Sequence, residues 1–207
     1  MPSSPAVTIG VATLYLGDYR DILPMLDQSA IHAVVTDPPY GIGYVHGGGS
    51  YQGLGAPPNK KPIIGDDAPF DPHWLIELAD ASAKKGGRPV LLWGASHYKT
   101  RLPAGGTFLC WDKSCGQGPA DVFVDAEFAW MNRKNARCIY RHFWKGATRA
   151  GEDSPARFAR AHPSQKPVEL MRWCLEVARI GIGKTVFDPH RPATPARRGA
   201  RPGCDRC

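Results

Sequence analysis

The chain has 207 residues, 43% of them hydrophobic, with six tryptophans, enough for one packed domain carrying an insertion. No apolar run approaches the length of a bilayer span, and the start MPSSPAVTIG lacks the basic and apolar segments of a secretion signal, so the expectation is a non-membrane protein in a reducing cytoplasm. The net charge of +7 points to a polyanionic partner, while the six scattered cysteines lack zinc-finger spacing, so neither a metal centre nor a disulfide framework is expected.

In chain order, VATLYLGDY reads as a short strand ending at Gly17-Asp18, and RDILPML as a helical turn or short helix. AIHAVVTD is a β-branched apolar run that stops at DPPY, the pattern of a central strand in a parallel sheet. Residues 41–62, rich in Gly and Pro, read as a long mobile loop. DPHWLIELADASAKK follows as an amphipathic helix with Asp71 as N-cap and Pro72 behind it. RPVLLWGA, GTFLCWDK and AEFAWMN are three further strands.

The segment 133–160 carries Arg133, Lys134, Arg137, Arg141, Lys145, Arg149, Arg157 and Arg160 against Glu152 and Asp153, interleaved with Tyr140, Phe143, Trp144 and Phe158. Cations with stacking rings are what nucleic-acid surfaces use, and a solvated basic loop has the same composition. Beyond it, Pro167 opens a helix with Leu170, Trp173, Cys174 and Val177 on one face, Gly181 and Gly183 end it, and KTVFDP is another buried strand. Strands alternating with helices predict an open α/β sheet, whose ligands sit at the carboxyl ends of the strands. Two such ends carry Asp-Pro, at Asp37-Pro38 and Asp188-Pro189.

Prolines 38 and 39 stiffen the backbone around Asp37. The Asp37 carboxylate and the Pro38 carbonyl could together accept both hydrogens of an exocyclic amino group, and Tyr40 offers a ring face to a base. An aryl amine is a poor nucleophile because its lone pair is delocalised; two fixed acceptors favour the localised, pyramidal form, and Asp37 can help carry the proton away. A base must leave the duplex stack to reach such a pocket. A rigid turn after a strand would give the same tetrapeptide.

The stretch AIHAVVTDPPYGIGY resembles motif IV of the amino-directed DNA methyltransferases, which methylate adenine N6 or cytosine N4 from S-adenosylmethionine. LYLGDYRDILPML is similar to the Gly-Asp strand preceding DPPY in their circularly permuted group, and the strands behind DPPY follow in the family's succession. HPSQKP, residues 162–167, matches the helix-opening motif in all six positions. The resemblance implies a Rossmann-like, S-adenosylmethionine-dependent methyltransferase sheet, permuted, over residues 1–189. It implies a base pocket of Asp37, Pro38, Pro39 and Tyr40, and a cofactor pocket lined by Gly17, Asp18, His162, Ser164, Gln165, Lys166, Asp188 and Pro189. It further implies double-stranded DNA as partner, contacted by Arg133, Lys134, Arg137, Arg141, Lys145 and Arg149, with adenine N6 preferred because DPPY goes mostly with that target. Cytosine N4, RNA or protein amide substrates, and a DNA-binding remnant without catalysis, are the alternatives. The sequence carries no sign of the recognition sequence or of an accompanying restriction endonuclease.

After Asp-Pro the family continues into a Gly-x-Gly-Thr loop, a helix, and a strand ending in an acid that holds the ribose. Here HRPATPARRGARPGCDRC follows, without one Val, Ile, Leu, Met, Phe, Trp or Tyr. Residues 190–207 are expected to be disordered, and the sheet incomplete on that side. A neighbouring reading frame of the same codons permits Ala-Gly-x-Thr-Gly-Ala-Ala, so a frame shift near His190 is the expected origin. Weak S-adenosylmethionine binding is the expected consequence.

Overall fold

The computed structural model describes residues 6–43, 63–80, 87–116, 124–145, 148–150 and 166–190, and only the backbone at 145, 148 and 149. Strands β1 (Ala6–Ile9) and β2 (Ala12–Tyr15) form an antiparallel hairpin turning at Gly10. Helix α1 (Tyr19–Ile22) and two single 3-10 turns lead to β3 (Ile31–Thr36). Then come α2 (His73–Asp80), β4 (Val90–Trp93), β5 (Thr107–Asp112), β6 (Ala126–Met131), β7 (Ile139–Arg141), the short pair β8 (Trp144–Lys145) and β9 (Thr148–Arg149), α3 (Val168–Val177) and β10 (Thr185–Phe187).

Six strands make one mixed sheet in the order β10-β3-β4-β6-β5-β7. All are parallel except β6, which runs against both neighbours. The alternation of side chains along each strand feeds two cores. Val35, Leu91, Trp93, Leu109, Trp111, Ala129 and Met131 pack on α3 through Leu170, Trp173, Cys174 and Val177. Val34, Val90, Leu92 and Trp130 pack on α2 through Leu75, Leu78 and Ala79. The chain is therefore a mixed α/β protein with a mostly parallel sheet covered on both faces, a layering that places ligand sites at the carboxyl ends of the strands. Beyond α2 the same sheet face leaves Phe108, Phe128 and Ile139 largely exposed, on strands paired through Cys110. Among the described residues no helix is long and apolar enough to cross a membrane.

The strands over residues 88–95, 106–113 and 126–132 form where the sequence places them, and Asp71 accepts a hydrogen bond from the His73 amide at the head of α2. The stretch RDILPML forms the helical turn expected of it, prolonged by a 3-10 turn over Leu23–Met25, because Pro24 removes the amide that would continue the α-helix. Two expectations are corrected. Strand β10, read as buried, is exposed at Thr185 and Val186, because it pairs with β3 on one side only among the described residues. Helix α3 ends at Val177 rather than at the glycines: Arg179 takes φ 55°, and the Ile180 amide reaches back to the Leu175 carbonyl at 2.9 Å in a Schellman closure. A side chain in the left-handed region costs about 1 kcal/mol. Arg179→Gly is accordingly expected to stabilise the fold by about 0.5–1 kcal/mol in urea unfolding.

Candidate active site at the carboxyl ends of the strands

Strand β3 delivers Asp37 to the rim, and the prolines that follow hold it there, with Pro38 buried. The loop after Tyr40 is clamped from below. Asp66, 3% exposed, accepts hydrogen bonds on its carboxylate from the amides of Gly41 at 2.7 Å and Ile42 at 3.3 Å. Gly41 has φ 73°, and a Cβ there would lie 2.4 Å from the Ala68 carbonyl oxygen, so only glycine fits. Tyr40 is held as tightly: its ring lies against the Gly94 backbone, where an added Cβ would fall 1.9 Å from Cε1, and its face stacks on His97 at 4.8 Å between centroids. The ring face expected to be open to a base thus has His97 beside it, and the pair forms one aromatic wall.

The Tyr40 hydroxyl donates to Asp37 Oδ1 at 2.6 Å. Burial, then the Asp37 charge, keep that hydroxyl protonated far above its usual range. On the other oxygen, Asp37 Oδ2, sits the ammonium of Lys166 at 2.9 Å. Lys166 Nζ also meets Glu127 Oε2 at 3.0 Å, lies 3.5 Å from the Tyr40 hydroxyl, and faces the Trp93 ring at 5.4 Å. Glu127 in turn binds Lys113 through Oε1 at 2.8 Å, and Lys113 faces the Trp111 ring. Two carboxylates and two ammoniums alternate in a chain of zero net charge. Burial works against the Lys166 charge, but Asp37, Tyr40 and Glu127 outweigh it and raise the pKa well above the usual lysine value. Burial likewise opposes ionised Glu127, yet Lys166 and Lys113 bring its pKa down to about 2.

Asp188, at the end of β10, is the immediate neighbour of this cluster. The Thr36 hydroxyl, 1% exposed, donates to Asp188 Oδ1 at 2.6 Å and ties the two Asp-bearing strand ends together. The next side chain but one, His190, lodges among three rings: Tyr19 and Phe70 at 5.4 Å and Trp74 at 5.9 Å. Its Nδ1 is 3.3 Å from Thr36 Oγ1, and burial depresses its pKa to about 4 against the opposing pull of Asp18. Asp18 caps α1 through the Arg20 amide at 2.8 Å and binds the Arg20 guanidinium, whose hydrogen bonds hold the Asp18 carboxyl near 2.

Of the residues singled out by sequence, the structure brings together Asp37, Tyr40, Lys166 and, through Thr36, Asp188. Lys166, expected among the cofactor residues, has its ammonium on Asp37, expected in the base pocket. His162, Ser164 and Gln165, the loop 44–62 and the tail 191–207 lie outside the described residues. So do the side chains of Lys145 and Arg149. Within the basic segment Arg133 donates to the Gly87 carbonyl at 2.9 Å, Lys134 is exposed, and Arg137 and Arg141 pair with Glu176 at 3.4 Å and Asp112 at 3.5 Å. Arg137 and Arg141 line a cleft of about 710 Å³ between β7 and α3, with Arg172 held by Glu169 at 2.8 Å. Counted with their partners, its arginines leave the cleft close to neutral. Four strand spacings, about 19 Å, separate it from Asp37.

Sequence reasoning missed Asp66, Gly94, His97, Lys113 and Glu127. Asp66 carries no local signal that tells it from Asp67. Glu127 is hidden because its position at the rim depends on the reversal of β6, which sends the start of that strand to the edge where its neighbours finish. Among the described residues no group of three or more His, Cys, Asp or Glu is placed to hold a metal ion. No protein-family model matches the chain, and no curated protein matches it.

Proposed function

We propose that the chain is built on the catalytic core of an amino-directed DNA methyltransferase, with adenine N6 as the target. The observation that carries this is the setting of DPPY: a proline-stiffened carboxylate and an aromatic wall at one strand end, bonded through Thr36 to a second Asp-bearing strand end beside it. Asp37 and the Pro38 carbonyl accept the two hydrogens of the extruded amino group and favour the form with a localised lone pair. The Lys166 ammonium, 2.9 Å from Asp37 Oδ2, is the counter-charge that fixes the carboxylate in place. Asp66 and Gly94 keep the acceptor and the Tyr40–His97 wall from drifting, since small displacements of reacting groups are costly.

S-adenosylmethionine is the methyl donor the resemblance implies, and the described residues do not fit it. The Asp18 carboxylate is taken up by Arg20 and the cap of α1, and Asp188 receives Thr36 and the His190 amide. His190 fills the space between Tyr19, Phe70 and Trp74, and the sequence after Pro189 has no Gly-x-Gly loop. Among the described residues the proposed base pocket thus has no donor site beside it.

Methyl transfer from labelled S-adenosylmethionine to unmethylated double-stranded DNA tests this, using the chain beside a version in which a Gly-x-Gly-Thr loop, helix and acid-ended strand replace residues 190–207. Transfer is expected only from the restored version, and is expected to fall about 100-fold or more with Asp37→Ala. No transfer from the restored version would refute the family assignment. Low-micromolar cofactor affinity of the unaltered chain by calorimetry would refute the donor-site deficiency.

A further inference from the structure

We propose that Glu127 is a positioning residue for Asp37: by sharing the Lys166 ammonium, it keeps Asp37 Oδ2 available to an incoming amino group. This rests on the amino-directed reading above. Both oxygens of Asp37 carry donors, Tyr40 on Oδ1 at 2.6 Å and Lys166 on Oδ2 at 2.9 Å. A target amino group therefore competes with Lys166 for the same acceptor. Were Asp37 the only carboxylate near Lys166, the ammonium would settle on it as a close buried ion pair, and a neutral amine could not displace it.

Glu127 prevents that. Its Oε2 stands 3.0 Å from the same nitrogen, so the ammonium is already divided between two carboxylates at nearly equal distances. Lys166 can yield Oδ2 to an amino group by turning towards Glu127, without leaving its own site over Trp93 or losing a charge partner. Lys113, 2.8 Å from Glu127 Oε1, sets how strongly Glu127 pulls: it neutralises part of the glutamate charge and stops Glu127 from taking Lys166 altogether. The order Asp37, Lys166, Glu127, Lys113 is thus a graded chain. Only Asp37 faces the chemistry; the other three adjust how well it accepts.

The test is the titration of Asp37, followed by carboxyl carbon NMR in the full chain. Glu127→Gln leaves Lys166 to Asp37 alone and is expected to lower the Asp37 midpoint by about one pH unit. Lys113→Met strengthens the pull of Glu127 and is expected to raise it, an opposite sign that general loosening of the fold would not give. Glu127→Asp separates contact from field: it keeps the charge but withdraws the carboxylate by one carbon, and is expected to resemble Glu127→Gln. An Asp37 midpoint unmoved by Glu127→Gln, or a Glu127→Asp variant that titrates like the unaltered chain, would overturn the positioning role.

Binding of 2′-deoxyadenosine against the analogue lacking the 6-amino group, by NMR in the same samples, keeps the two levels apart. Equal binding of both by the unaltered chain counts against the amino-directed reading itself. A preference for deoxyadenosine that survives Glu127→Gln counts against Glu127 alone.

Discussion

Replacing Lys166 by Met is expected to destabilise the fold by about 3 kcal/mol in urea unfolding near neutral pH. The change leaves Asp37 and Glu127 facing each other without the ammonium that separates them, and breaking an inside ion pair costs about 3–5 kcal/mol when one partner is removed. The lower end applies because the lysine side chain is 10% exposed while the carboxylates keep about a quarter of their surface in water, at 26% and 28%. The double variant Lys166→Met with Glu127→Gln should recover about half of the loss, since it removes one of the two stranded charges. A loss that the second substitution does not relieve would mean that Lys166 contributes through its alkyl stem against Trp93 instead. The pH dependence follows with a definite sign. Glu127 has a folded pKa of about 2 against an unfolded value near 4.5, so its contribution is present above about pH 4.5 and is lost as pH falls towards 2. The deficit of Lys166→Met therefore narrows in that acid window.

The second large effect belongs to His190. The unfolded chain protonates this residue near 6.5, whereas the folded chain, with the imidazole among Tyr19, Phe70 and Trp74, does not until about 4. The unfolded state thus binds the extra proton first, and stability is full above pH 6.5 and declines as pH falls from there to 4, by roughly 2 to 3 kcal/mol. His190→Phe should erase that decline while leaving the drop below pH 4.5 due to Glu127, because a phenyl ring fills the same box without titrating. Equilibrium unfolding of both proteins across pH 4–8 checks this, and parallel curves would show that His190 is protonated in place.

What the sequence made legible follows from the range of the forces concerned. The strand at β3 could be read because five of its six residues are buried, the last four, Ala33, Val34, Val35 and Thr36, as an uninterrupted run covered on both faces of the sheet. Of the first hairpin, β2 was read and β1 was not, because the burial of β1 is slight: Val7 and Ile9 are 58% and 64% exposed, so no core imposes a pattern on it. At α3 the face was legible and the end was not, since the closure fell to Arg179 where glycines two and four positions on gave the stronger local signal. The site divides the same way. Asp37 and Tyr40 lie in one tetrapeptide whose two prolines bring their own stiffness, so they could be read from the chain alone. Lys166 stood out in the sequence as part of HPSQKP, but its partner did not, because 126 residues separate it from Tyr40 and only the sheet order brings them together. Glu127 and Asp66 depend wholly on that order.

The Thr36–Asp188 hydrogen bond has a bearing on how the molecule assembles. Its partners are 152 residues apart, whereas β5 and β6 pair through Asp112 and Ala126 across a short connection. Closing the long loop carries an entropic cost that the three-residue β10 meets through a single neighbour. The centre of the sheet can hence form while the two Asp-bearing strand ends are still apart, and the site is completed last and opens first. Native-state hydrogen exchange should find the β10 amides the least protected of the sheet, with those of β4 and β6 the most. Local opening at β10 would part the two Asp-bearing strand ends well before the sheet unfolds.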